Sequence, residues 1–201
     1  MEPVILIDSS SDLPLDYVEK NKLHALGLIC LFKGGEYEDD FGKTLKYKDF
    51  YDAMRNGEVP TTSQINSYRF EEAFKKYVQE NRPVIYMGIS SALSGCISSA
   101  QSARESILRE YESADITVID TKSASLGEGL LVYYACELLK DGKSKQFIVD
   151  WIENNKLKLN HWFTVENLKY LKRGGRLSAA SAVIGTILDI KPVLHVDDEG
   201  R

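Results

Sequence analysis

Three short apolar runs, Val4 to Ile7, Pro83 to Ile89 and Ile116 to Ile119, punctuate the chain. Each is followed by polar turn residues and then by a helical pattern, the alternation expected of parallel βαβ units. After the second run, Leu93, Ile97, Ala100, Ile107, Leu108 and Tyr111 fall on one helical face. After the third, Leu130, Leu131, Tyr134, Ala135, Leu138 and Leu139 do the same, with Gly142 just past the end. Phe70, Ala73, Phe74, Tyr77 and Val78 form another stripe, behind Ser67 as the expected N-cap. These stripes predict core faces.

Between the first strand and that helix the texture changes. The stretch from about 26 to 60 holds a strand-like piece around Leu28 to Phe32, a Gly34-Gly35 turn, and a short helix with Tyr47, Phe50, Tyr51 and Met54. After about Lys156 the alternation stops. His161 to Val165 reads as a strand, Leu168 to Lys172 as a short helix and Pro192 to Val196 as another strand. The expected fold class is therefore α/β. A parallel-sheet, Rossmann-like domain over residues 1–156 carries a small insertion at about 26–60. A second, incomplete α/β domain begins at 157 and runs to 201.

Composition supports a globular chain: 43% of its 201 residues are apolar and 27% charged. A net charge of −5 argues against a nucleic-acid surface, and the one basic cluster, Lys169, Lys172, Arg173 and Arg176, is small. The three cysteines are far apart and lack a Cys-x-x-Cys spacing, which suits buried reduced thiols rather than a zinc or redox site. The longest apolar run, Leu26 to Phe32, is too short to span a bilayer, and the N-terminus carries no basic leader. A cytoplasmic location is expected.

Several motifs fail on inspection. Gly42-Lys43-Thr44 resembles the end of a phosphate loop, but Tyr37 stands where the first glycine belongs and the segment between is acidic. Gly127-Glu128-Gly129 opens a helix after a strand, yet Val132 replaces the third glycine, so packing at a tight turn is the better account. His24, His161 and His195 are isolated, without metal-ligand spacing. No metal and no cofactor is expected.

The segment Gly88-Ile89-Ser90-Ser91-Ala92-Leu93-Ser94-Gly95 is the most informative. It lies at the carboxyl end of an expected parallel strand, where open α/β sheets bind ligands. Its hydroxyls and the free N–H groups of a helix start suit an anion. Thr61-Thr62-Ser63-Gln64 offers a second cluster of neutral donors before another helix. Capping hydroxyls explain either cluster alone; two together point to a ligand site. A rival reading takes Ser90 as the nucleophile of a serine esterase, followed by Asp120 and His161 in hydrolase order, although Ala92 replaces the elbow's last glycine. Lys172-Arg173-Gly174-Gly175-Arg176 reads as a helix end with a glycine cap, with a second glycine that suits close backbone approach.

Taken in order, these segments resemble the DegV family. The matching stretches are Ile5 to Pro14, Pro60 to Gln64, Ser90 to Gly95, Val118 to Lys122 with Gly127 and Gly129, Leu171 to Ser178, and Ile190-Lys191-Pro192. The resemblance implies a two-domain protein that holds one long-chain fatty acid between its domains and supplies no catalytic residue. It implies that Thr62 and Ser94 bind the carboxylate; the two hydroxyl clusters add Ser63, Ser90, Ser91 and Gly95 as the expected supporting shell. It also places Arg173 and Arg176 near the head group or on a partner-facing surface. The implied partner is an ATP-dependent fatty acid kinase that makes an acyl phosphate. At about 0.8 kcal/mol per methylene, a sixteen-carbon tail would contribute on the order of 11 kcal/mol gross, leaving orientation to the head-group contacts. Ile65-Asn66 and Cys96 depart from the family's usual Pro-Ser and threonine. Residues 197–201 fall within the family's second domain, before a histidine that completes its carboxylate site, so the chain reads as truncated or as a fragment. A non-lipid interaction module is the remaining alternative.

Overall fold

A computed structural model describes residues 1–176 and 191–201. Its centre is a four-stranded parallel sheet of β1 (Val4–Asp8), β2 (His24–Leu26), β6 (Val84–Gly88) and β7 (Ile116–Asp120), in the order β2-β1-β6-β7. The first, sixth and seventh strands are the three apolar runs of the sequence. β1 and β6 are buried along their whole length, as strands covered on both faces must be.

The two-residue side-chain period of these strands splits the core into two layers. Val4, Leu6, Val84, Tyr86 and Ile116 pack with α3 (Ser67–Gln79) and α4 (Cys96–Glu110). Ile5, Ile7, Ile85, Met87 and Ile119 pack with α1 (Leu15–Lys20), α5 (Leu126–Lys140) and α6 (Lys145–Asn155) on the opposite face. The α3 stripe is buried as expected, although Asn66 is the cap: its side chain accepts from Arg69 N at 3.0 Å. In α5 the expected face is rotated. Leu131 and Ala135 are buried with Val132 and Cys136, while Leu130 and Tyr134 are exposed. The sequence pattern missed that Glu128 occupies the buried side; it is 0% exposed.

The stretch after β2 forms its own unit. β3 (Ile29–Phe32) pairs antiparallel with β4 (Gly35–Glu38) and β5 (Thr61–Ser63), and α2 (Tyr47–Arg55) packs over them. Its small core joins Cys30, Phe32 and Ala53 with Tyr37, Leu45 and Phe50. The chain enters and leaves through a neck. There Asp39 N donates to Leu28 O at 2.8 Å. Gly27 packs so closely that an added Cβ would stand 2.4 Å from Asp39 O. Arg69 of α3 secures the neck from outside, bonding Gly27 O at 2.7 Å and pairing with Glu38.

Beyond α6, β8 (Trp162–Thr164) and β9 (Val193–His195) form an antiparallel pair, with α7 (Lys169–Gly174) between them in sequence. Leu177, Ser178 and Ile190 of the segments named above lie outside the described residues.

Candidate functional site

The strand order reverses direction between β1 and β6, because the chain leaves β1 toward β2 on one side and returns to β6 on the other. Open α/β sheets bind ligands in the crevice outside the carboxyl ends of the strands at such a point. Asp8 ends β1 and Gly88 ends β6, and the two strand ends are tied together: Asp8 Oδ2 accepts from Ile89 N at 3.1 Å and from Tyr86 OH at 2.8 Å. Asp8 Oδ1 accepts from Ser10 N at 3.0 Å and from Ser10 Oγ, which folds Ser9–Ser11 into a 3-10 turn. Four donors fill the acceptor sites of one fully buried carboxyl group.

Above this crevice the insertion forms a roof, leaving a cleft of about 360 Å³. Apolar side chains line it, Leu28, Ile29, Cys30, Leu45 and Phe50. So do the hydroxyls of Ser9, Ser10 and Ser125, and of Thr62, which pairs with Cys30 in the insertion's own sheet. Asp12, Glu38, Asp39 and Asp40 add an acidic rim, and Tyr37, Tyr47 and Tyr51 supply rings with polar ends. The rim is partly spoken for. Glu38 pairs with Arg69, Asp40 caps Thr44 N at 3.0 Å, and burial pushes the Asp39 carboxyl up, with Asp12 and Asp40 adding to the rise. The Asp40 cap occupies the Thr44 N–H that a phosphate would need. Two residues of the cleft wall, Asp12 at φ 50 and Ser125 at φ 53, hold the left-handed backbone region without being glycine. Strain of that kind persists only where the surroundings over-determine it.

The expected site residues separate into groups. Thr62 lies in the cleft wall, on the exposed strand β5. Ser94 and Gly95 stand at the start of α4, with Ser94 Oγ accepting from Cys96 N at 3.4 Å. The two segments meet where Gly95 passes Gln64: an added Cβ would stand 2.0 Å from Gln64 Oε1, so a larger residue would have to displace that side chain. Gln64 in turn donates to Ser99 Oγ at 2.9 Å, which places exposed Ser63 beside the same junction. Ser90 and Ser91 face elsewhere. Buried Ser90 receives Ala92 N at 3.2 Å and abuts Gly200, and Ser91 is bound to Asp120 and Lys122. Arg176 reaches this loop, its Nε donating to Leu93 O at 3.0 Å, whereas Arg173 is exposed on the last turn of α7. Gly175 caps that helix at φ 72, as the glycine pair suggested.

The rival hydrolase arrangement is not assembled. His161 Nε2 lies 3.1 Å from Ser123 Oγ rather than on Ser90, and Asp120 accepts from Ser91 N and Lys122 N. The His161 ring, whose basicity burial lowers, sits in a notch over Gly127, where a Cβ would stand 1.9 Å from Cε1. Gly129 likewise lets α5 approach the Ser11 carbonyl. Both glycines are packing devices, as the failed dinucleotide motif suggested. The three cysteines are free and buried. Among the described residues no His, Cys, Asp or Glu cluster could hold a metal, and no helix is long and apolar enough to cross a membrane.

Sequence analysis missed the wall formed by Ser9, Ser10, Asp39, Tyr47, Tyr51 and Ser125. A signal existed: the polar run after β1 stands at a strand's carboxyl end as surely as the run after β6.

Fold and cleft together define an α/β protein with a roofed, half-apolar cleft at the carboxyl edge of its parallel sheet. A sequence-family model described as an uncharacterised protein of the DegV family matches residues 3–201. A DegV domain-containing protein of Clostridium perfringens is 50% identical over 198 residues, covering 98% of this chain and 68% of that protein. The chain belongs to the DegV family. Solved structures agree. A fatty-acid-binding DegV family protein of Thermus thermophilus has a TM-score of 0.87 at 33% identity, over 100% of this chain and 69% of that one. A stearic-acid-binding protein of Eubacterium ventriosum has 0.89 at 30%, over 98% and 68%.

Proposed function

We propose that this chain is a fatty-acid carrier that presents the carboxylate of its bound acid to an ATP-dependent fatty acid kinase. The observation that carries the reading is the cleft itself, lined by both apolar side chains and hydroxyls, with Thr62 of the roof's own sheet among them. The fatty-acid binding of the Thermus thermophilus and Eubacterium ventriosum relatives supports it. Kinase partnership rests on the family resemblance of the sequence, whereas a cytoplasmic setting rests on the free, buried cysteines.

In this reading the acyl chain runs beneath the insertion, between the unit of residues 1–156 and the α/β unit that begins near 157. The acidic rim repels a carboxylate, which directs the head group toward the neutral donors. Thr62 and Ser94 hold it, Ser63 and Gly95 shape the junction between them, and Ser90 and Ser91 set the loop from behind. Arg176, anchored on Leu93 O, and Arg173 present positive charge on the partner-facing side. A carboxylate held by neutral donors rather than a buried ion pair keeps its charge and its nucleophilicity.

Native mass spectrometry of the purified chain, followed by lipid extraction, tests the carrier reading. A single co-purifying fatty acid supports it. A chain that takes up no long-chain fatty acid, purified or offered, refutes it.

A further inference from the structure

The buried side of α5 holds a group the carrier reading does not use. Glu128 is 0% exposed; its Oε2 lies 3.1 Å from Ser10 Oγ, and its Oε1 has no partner. Ser10 Oγ also touches Asp8 Oδ1. A serine hydroxyl carries one hydrogen and two lone pairs. Asp8 accepts from Ser10 N, Tyr86 OH and Ile89 N, so it is an acceptor throughout and the Ser10 hydrogen goes to it. The contact between Ser10 and Glu128 then lacks a hydrogen unless Glu128 supplies one. An unpartnered buried oxygen points the same way, since a neutral carbonyl oxygen tolerates isolation far better than a charged one.

We propose that Glu128 is a positioning residue held in its protonated form, donating to Ser10, which donates to Asp8. The chain fixes Ser10 in the cleft wall as a hydrogen-bond acceptor, and loss of that proton loosens the cleft. The surroundings support this. Burial pushes the Glu128 carboxyl well above the usual carboxylate range; the acidic neighbours Asp8 on β1 and Asp12 beyond the serine turn push it further, and the Ser10 contact offsets only part of the rise. Tyr86 of β6 faces the same cluster and is itself driven upward by burial, with Asp8 and Glu128 adding to the rise.

The folded protein therefore holds a proton that the unfolded chain releases above the ordinary glutamate range. Stability is lost with rising pH across that interval. Glu128→Gln keeps a neutral donor to Ser10 and removes the titration. The variant's melting midpoint is expected to exceed the wild type's by a margin that widens by about 3–5 °C per pH unit between pH 5 and 8. A constant margin overturns the proposal. Carbon-13 carboxyl NMR of the wild-type chain reads Glu128 directly: a neutral-acid signal at pH 7 is expected, and an ionised one overturns it.

The positioning role rests on the carrier reading and has its own readout. Between pH 6.5 and 9, stearic acid binding by the wild type should weaken by about tenfold more than binding by Glu128→Gln, the effect of one pKa unit. Parallel pH profiles refute positioning. If neither protein binds stearic acid at any pH, the carrier reading and the positioning role fall together, whereas the melting and NMR results decide the stored proton by themselves.

Discussion

Replacing Gly129 by alanine sets two effects of one methyl group against each other. Gly129 is inside α5, where helix propensity alone favours alanine by about 1 kcal/mol. The added Cβ would stand 2.6 Å from Ser11 O and 3.2 Å from Leu13 Cδ2. An ordinary contact begins near 3.4 Å, so helix and turn must separate by about 0.8 Å. The obstacle is backbone, pinned by the bonds of Asp8, and cannot swing aside as a side chain would. Overpacking of this kind costs about 1–3 kcal/mol, and a backbone clash belongs at the upper end. The net expectation for Gly129→Ala is a loss of about 1–2 kcal/mol, or a melting midpoint lower by about 2–8 °C for a chain of this size. Urea and thermal unfolding of the full chain measure it. A variant as stable as the wild type, or more so, would refute the close-approach account and leave propensity as the winner.

Further outcomes follow from the same contacts. Asp8→Ala leaves Ser10 N, Tyr86 OH and Ile89 N without a partner, while the Ser10 hydroxyl can turn to Glu128. At about 1–3 kcal/mol for each stranded donor, denaturant unfolding should show a loss of at least about 3 kcal/mol, and a loss below about 1 sinks the hub role. Ser94→Ala and Thr62→Ala should weaken fatty-acid binding by less than about tenfold, because the tail dominates affinity, yet sharply lower acyl-phosphate yield with a partner kinase. Unchanged yield in both would remove these residues from the head-group site. His161 is favoured neutral in the folded chain, so stability falls as pH drops from the ordinary histidine range through the lowered folded value. His161→Gln should flatten that acid-side fall in a melting series from pH 7 to 5, and an unaltered slope would contradict it.

Much of the fold was legible because parallel strands covered on both faces read as unbroken apolar runs. Val4 to Ile7 and Val84 to Met87 could hardly be anything else. The stripe on α3 was equally plain, while the choice between Asn66 and Ser67 as cap was not, since both side chains can do it and backbone angles decide. The α5 face misled for a definite reason. Its N-terminal half buries Glu128 and Gly129 against a turn more than a hundred residues earlier, and hydrophobic periodicity assigns a glutamate to solvent. Of the candidate cleft the sequence singled out Thr62; it pointed also to Ser94 and Gly95, and it passed over the Ser9-Ser10 wall. Pattern could not say that Ser90 turns toward Gly200 while Ser10 turns toward the cleft, because side-chain direction in irregular backbone is set by tertiary hydrogen bonds.

The narrow neck at Gly27 and Asp39 has a mechanical consequence. The insertion folds around its own handful of apolar side chains, far fewer than either layer of the main sheet commands. Elements with little buried apolar contact open at a lower free energy than the core that carries them. The neck bonds, with Arg69 clamped across them, lie at the margin of that small unit rather than inside the sheet. The molecule therefore resembles a box with a weakly latched lid: the insertion's hold on the sheet is expected to give way before the sheet's own packing does.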